Sequence, residues 1–236
     1  MTLPRVTTRE EWLAARVELL TAEKEHTRAR DALNEQRRQL PMVEVDKKYI
    51  FDGPDGAVSL TDLFDGRRQL IVYHFMFDPS WDEGCVSCSF LADNLPLLSH
   101  LRHRDTNFVA ISRAPLDKIT AYKQRMGWTF PWLSSYNSDF NYDFHVTMDE
   151  SVRPVYYNYR DKAELEEKTP WHAAGEQHGA SVFLQHENRI YHTYSTYGRG
   201  PELALSTYQL LDLTPLGRQE EGTGIHLFKR HDLYED

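Results

Sequence analysis

Cysteine is almost missing from these 236 residues: Cys85 and Cys88 are the whole complement, too few for a disulfide scaffold, and a chain of this length buries a core without one. Positive charge is also in deficit. Lys and Arg number 27 against 36 Asp and Glu, and a formal net charge of −9 repels phosphate backbones, so no nucleic-acid partner is expected. Long apolar runs are absent too; none approaches the roughly 20 residues that cross a bilayer, which argues against a membrane partner. The opening Met1-Thr2-Leu3-Pro4-Arg5-Val6 leads into charge rather than into the apolar core of a signal peptide, and the expected location is cytoplasmic. No repeat or low-complexity tract interrupts the chain. With 40% hydrophobic and 12% aromatic residues, disorder is confined to short tails.

Gly and Pro are missing from Arg9 to Gln39, and Thr8 stands three residues before Glu11 as in a capping box, which predicts one long helix ended by Pro41. Leu13, Val17 and Leu20 mark one face, and Ala29, Ala32, Leu33 and Leu40 resume it after a charged middle. That pattern suits a solvated helix packed at its ends, with a homo-oligomer formed through this helix as the alternative. Residues 1–41 are therefore an N-terminal extension, 42–215 the main domain, and 216–236 a C-terminal tail.

Within the domain, Met42 to Val45 and Tyr49 to Phe51 read as short strands before a turn at Asp52-Gly53-Pro54-Asp55-Gly56. Gln69 to Phe77 is a nearly continuous apolar run, as a central strand covered on both faces requires. Helical spacing follows from Cys85 through Phe90, Leu91, Leu95, Leu98 and Leu101; Asn107 to Ser112 is the next strand and Leu116 to Met126 the next helix. Residues 137–177 form an aromatic-rich insertion holding a short charged helix, Lys162 to Lys168. Ala180 to Gln185 and Ile190 to Ser195 flank a Glu187-Asn188-Arg189 turn as a β-hairpin, and Glu202 to Leu213 is a closing amphipathic helix over one sheet face. The β-α-β-α order predicts an α/β domain with a central mixed sheet flanked by helices.

The two cysteines sit where the loop after the central strand becomes a helix, in Gly84-Cys85-Val86-Ser87-Cys88. A Cys-x-x-Cys pair at a helix start places both sulfurs on one side of the first turn, where they can close a small disulfide ring. The partial positive charge of the helix terminus favours a thiolate at the first cysteine. Cys85 is the expected nucleophile and Cys88 the resolving thiol. Asp78, Asp82 and Glu83 are acidic neighbours whose charge either works against the helix dipole at that thiolate or is simply solvated.

Asp62-Leu63-Phe64-Asp65-Gly66, the strand from Leu70, the Cys-x-x-Cys helix and the final hairpin resemble the thioredoxin-like superfamily in its peroxiredoxin-type layout. More narrowly, Arg9-Glu10-Glu11-Trp12, the stretch from Trp81 to Phe90 and the closing segment resemble a bacterial thioredoxin-like family of unknown function, sometimes labelled dithiol-disulfide isomerase. The resemblance covers most of the chain and implies thiol-disulfide chemistry, which fold by itself does not establish. Thioredoxins place Trp directly before the first cysteine and Gly-Pro between the two; here Gly84 and Val86-Ser87 occupy those places. The cis-Pro usual before the hairpin is replaced by Gln177-His178-Gly179, which alters substrate docking. Peroxiredoxins need a Thr three residues before the reactive Cys, where this chain has Asp82, so ordinary peroxidase activity is not expected.

His178 would face the pair if the hairpin begins at Ala180, serving as a catalytic base or proton shuttle beside Cys85 and Cys88. Trp81, Gly84 and Gly179 complete the expected substrate-binding surface. Two thiolates and an imidazole also form a plausible copper or zinc set, Cys85, Cys88 and His178, similar to copper-delivery proteins of the Sco type, whose cysteines are spaced by three residues rather than two. The redox reading requires no cofactor; its substrate is a protein or small-molecule disulfide or thiol. A third class is a non-catalytic interaction protein that keeps the fold. His74, in the central strand, reads as a satisfied core histidine, while His145 and His172 flank the insertion, and nothing in their spacing compels them to approach the site.

Overall fold

The apolar run at Gln69 is the centre of an eight-stranded mixed sheet. In the computed structural model, which describes residues 3–220 and 228–235, β4 (Gln69–His74) pairs in parallel with β5 (Thr106–Ser112) and antiparallel with β11 (Gly179–His186). From edge to edge the order is β1 (Val43–Glu44), β12 (Arg189–Tyr197), β11, β4, β5, β6 (Trp132–Ser134), β2 (Ile50–Gly53) and β3 (Gly56–Ser59). The parallel strands β4 and β5 beside a terminal antiparallel hairpin give the expected thioredoxin-like α/β architecture.

Side chains alternate across this sheet with the period of two that strands impose. Tyr73, Phe108 and Ala110 face one core with Phe75, Phe77, Cys88, Phe90 and Tyr122; Leu70, Val72, Val109 and Ile111 face another with Phe51, Phe64, Phe140 and Phe183. The strand is shorter than its apolar run. Phe75 N–H still reaches the Ile111 carbonyl at 2.9 Å, after which the chain leaves the ladder while Phe75 and Phe77 stay buried.

Two expected helices are each broken. The Cys85 segment forms α2 (Val86–Asp93) and α3 (Leu98–Arg102), because Pro96 between them has no N–H to donate. The closing segment forms a 3₁₀ turn, Gly200–Ala204, and then α7 (Ser206–Leu211). Asn94 Oδ1 at the end of α2 accepts from Thr207 N–H at 2.6 Å and from the Ser206 hydroxyl at 2.9 Å, and so caps α7 from a distant part of the chain. Only Leu205 and Tyr208 of its expected apolar face are buried; Leu203 and Leu210 point to solvent. The other helix of this face, α4 (Leu116–Arg125), matches expectation to one residue.

The hairpin turn is Glu187 and Asn188, both at positive φ, as a two-residue turn matched to strand twist requires. The insertion folds around Val146, Met148, Val155, Tyr157 and Leu165. It comprises α5 (Phe140–Asp143), β7 (Thr147–Met148) paired with β10 (Gly175–Glu176), β8 (Tyr156–Tyr157) paired with β9 (Arg160–Asp161), and α6 (Lys162–Lys168).

The N-terminal helix α1 (Arg9–Arg38) begins where Thr8 Oγ1 accepts from Glu11 N–H at 3.2 Å, and none of its residues is buried. Of the extension and tail, residues 1–2, 221–227 and 236 lie outside the described residues. Where the C-terminal tail is described it is anchored: Phe228 stacks on Phe90 with ring centroids 3.9 Å apart, and Arg230 reaches the cysteine loop.

Candidate thiol redox site

Cys85 occupies the N-cap of α2 and is partly exposed; Cys88, one turn further along, is fully buried, and both thiols are free. The loop from β4 is cinched shut just ahead of them, where Cys85 N–H donates to the Met76 carbonyl at 3.0 Å. Met76 N–H in turn donates to Cys88 Sγ at 3.4 Å. The Cys-x-x-Cys turn is thus fixed against the end of the central strand through Met76.

The two thiols differ sharply in acidity. A hydrogen bond from the Cys88 thiol pulls Cys85 down from 9.0 to about 6, against the opposing effect of burial. The N–H groups of Cys88 and Ser87 at the helix start lower it further, although neither closes a full capping bond to the sulfur. Burial pushes Cys88 well above its ordinary value, and the neighbouring Cys85 adds to that rise. The Tyr73 hydroxyl, itself held protonated by burial and by Cys88, bonds the Cys88 sulfur and favours its thiolate. One thiol is therefore ionised near neutral pH and the other is held in reserve with a hydrogen-bond donor beside it. Sequence reasoning missed Tyr73; its only signal was a phenol within an otherwise apolar strand.

Of the acidic neighbours, Glu83 is firmly ion-paired, while Asp82 and Asp78 have weaker partners. Glu83 pairs with Arg125 and, at 2.9 Å, with Arg230, and the Arg125 hydrogen bond holds its carboxyl below the usual range. Asp82 lies 4.0 Å from Lys118, while Asp78 accepts from Ser80 N–H and hydroxyl at 2.8 and 2.6 Å. A relay supports the helix start from below: Arg230 Nε donates to the Tyr122 hydroxyl at 2.8 Å, Tyr122 to Ser89 at 2.8 Å, and Ser89 to the Cys85 carbonyl at 2.8 Å.

The other expected site residues have mixed placements. Gly84 is required by packing, since a Cβ there would lie 2.7 Å from Phe75 Cε1 and 2.8 Å from Tyr122 Cε1. Gly179 is similar, with Tyr197 Cδ1 at 2.6 Å. Trp81 is 36% exposed, with its carbonyl taken by Lys118 Nζ at 2.8 Å. His178 Nε2–H donates to the Gly198 carbonyl at 2.8 Å, which leaves Nδ1 as an acceptor, and burial lowers its basicity so that the ring is neutral near pH 7. His178 lines a cavity of about 500 Å³ that also reaches Ser87, between the cysteines, and Tyr73. His172 lines the same cavity; His145 packs on Tyr156.

Among the described residues, no group of three or more His, Cys, Asp and Glu side chains converges to hold a metal ion. His74 is a core histidine but not the satisfied one expected: it is fully buried, burial lowers it to about 3, and Nε2 lies 2.8 Å from Ser181 Oγ, while Nδ1 has no hydrogen-bond partner among the described residues. Among the described residues, no helix is long and apolar enough to cross a membrane.

Residues 1–234 match the family described as "Bacterial protein of unknown function (DUF899)". No curated protein matches the sequence. Solved structures similar in fold include a mutant PrxQ from Xylella fastidiosa, with 11% identity over 72% of this chain and 94% of that one, TM-score 0.44. Peroxidoxin BcpB from Mycobacterium tuberculosis shows 12% identity over 73% and 97%, TM-score 0.45. Thioredoxin peroxidase I from Plasmodium yoelii shows 13% identity over 72% and 90%, TM-score 0.44.

Proposed function

We propose that this chain, which belongs to that bacterial family of unknown function, is a thiol–disulfide oxidoreductase with Cys85 as nucleophile and Cys88 as resolving thiol. The observation that carries the reading is the placement of the pair, with Cys85 partly exposed at the N-cap of α2 and Cys88 buried one turn further on; lowering of the Cys85 thiol and raising of the Cys88 thiol accord with it.

In the forward direction the Cys85 thiolate attacks one sulfur of a disulfide, forms a mixed disulfide and expels the other sulfur as a thiolate, which takes up a proton. Cys88 then loses its proton, with the Tyr73 hydroxyl stabilising the thiolate, and attacks Cys85 Sγ. The second substrate thiolate leaves and is protonated. The balance is one protein dithiol and one disulfide giving one protein disulfide and two thiols; an external dithiol returns the protein to its reduced form. Neutral His178, on the cavity beside Ser87, is the group we assign to exchanging protons with the leaving sulfur.

Reduction of insulin by dithiothreitol tests the reading. Acceleration by the native protein, loss in Cys85→Ser, and a trapped mixed disulfide in Cys88→Ser are expected. Equal rates for all three proteins would discard it.

A further inference from the structure

Resting on the oxidoreductase reading, we propose that the thiol or disulfide exchanging with Cys85 and Cys88 is a small molecule with an uncharged, apolar body, seated in the cavity beside Ser87. Its size is right for such a ligand: about 500 Å³ falls within the roughly 300–1,000 Å³ of small-molecule sites. Its lining includes Tyr73, whose hydroxyl bonds the Cys88 sulfur, and Ser87, which lies between the two cysteines in sequence. Further walls are Leu91, Leu205 and Tyr208, and Trp171, 69% exposed, stands at the mouth.

Charge selects against an ionic ligand. Arg199, Arg218, Glu202 and Glu220 all line the cavity, two cations against two anions, and each already has a partner. Glu202 accepts from Arg199 Nε at 2.7 Å and Nη2 at 3.1 Å, and also pairs with Arg218. Arg218 is further held by Asp212 at 2.7 Å and lies 4.0 Å over the Tyr208 ring, while the Tyr208 hydroxyl donates to Glu220. A carboxylate on the ligand would have to break one of these pairs. An apolar body instead gains aromatic and aliphatic contact without breaking any.

The backbone beside the cavity offers a protein substrate few free groups. An extended peptide docks by pairing with free N–H and C=O groups of a strand or loop edge. In the segment around His178 several of these groups are committed internally: Glu176 pairs with Thr147, Gln177 N–H donates to the Val146 carbonyl at 2.8 Å, and the His178 carbonyl accepts from the Tyr157 hydroxyl at 2.8 Å. Gly179 is paired on both sides, to His74 and Tyr197.

Lipoamide and lipoate carry the same dithiolane and differ in one terminal charge, which makes them matched probes. Dihydrolipoamide would reduce the oxidised protein in two exchanges. Its first thiolate attacks Cys85 Sγ and releases Cys88 as a thiolate, which is protonated; its second thiolate then displaces Cys85 from the mixed disulfide, leaving lipoamide. In single-turnover mixing we expect dihydrolipoamide to reduce the oxidised full-length protein about tenfold faster, at low concentration, than dihydrolipoate, a difference of about 1.4 kcal/mol. Trp171→Ala, at an exposed position, is expected to weaken saturation by dihydrolipoamide about fivefold. Calorimetric titration of lipoamide into Cys85→Ser reads the cavity without redox chemistry, and tighter binding than lipoate is expected there. Equal rates for the two dithiols, or equal or absent binding to Cys85→Ser, would overturn the cavity assignment while leaving insulin reduction to judge the oxidoreductase reading separately.

Discussion

Arg230 Nη2 donates to the Gly84 carbonyl at 2.8 Å, so the C-terminal segment grips the residue directly ahead of Cys85. The same guanidinium serves the Tyr122 hydroxyl and the Glu83 carboxylate, and its side chain is 15% exposed. Removing it leaves a buried relay and a loop carbonyl without their donor. Arg230→Ala should therefore lower unfolding free energy by about 2 kcal/mol, read as a fall in urea midpoint with unchanged slope. An unchanged midpoint would show the grip to be incidental.

The acidity of Cys85 predicts a pH profile. Alkylation of the reduced protein by iodoacetamide should follow a single ionisation with its midpoint at about pH 6, at Cys85 and not at Cys88. Because the Cys88 thiol is the largest cause of the lowering, Cys88→Ala should move the midpoint upward. The linkage has a definite sign: a group whose pKa is depressed on folding contributes stability above its ordinary value of 9.0, and that contribution is lost as pH falls toward about 6. Mass-spectrometric alkylation rates from pH 5 to 9 check the midpoint, and one that stays put in Cys88→Ala would remove the Cys88 hydrogen bond as its cause.

Much of the architecture was legible in local chemistry. The cap at Thr8, the apolar period of β4, the position of Cys85 before α2 and the turn at Glu187 and Asn188 all depend on residues a few places apart. What escaped depends on partners far apart in sequence. Asn94 caps α7 more than a hundred positions away, and that contact marks where the helix starts within the apolar pattern from Glu202. The break before α3 was visible in Pro96, but the leucine spacing ran across it. The site divided the same way: the cysteine pair was legible, whereas Tyr73, the Arg230 relay and the cavity walls are assembled by the sheet and the closing segments.

Gly84 tests how tightly the cysteine loop is packed. Phe75 and Tyr122 are core rings with 1% and 4% exposure, so neither can retreat from a new methyl at 2.7–2.8 Å. Gly84→Ala should cost about 1–3 kcal/mol of stability, measured by chemical denaturation, and should slow thiol exchange by displacing the start of α2. A variant as stable and active as the native protein would show that the loop yields.

Glu176 offers a pH test away from the cysteines. It is buried between Thr147, whose Oγ1 lies 3.0 Å from both carboxyl oxygens, and Arg113 at 3.3 Å, yet burial outweighs the Arg113 charge and raises its carboxyl to about 7. The unfolded chain releases this proton near its ordinary 4.5 while the folded protein holds it to about 7, so the native state binds more protons in between. Stability should therefore fall as pH rises across that interval, by about 3 kcal/mol, and then level off. Glu176→Gln keeps an acceptor and a donor for Thr147 but cannot ionise. Its loss of a counter-charge for Arg113 above pH 7 offsets part of the gain, so the readout is the slope and not the absolute stability. Denaturation at pH 5, 6, 7 and 8 should show the variant gaining on the native protein through this range; parallel curves would place the Glu176 ionisation at its ordinary value despite its burial.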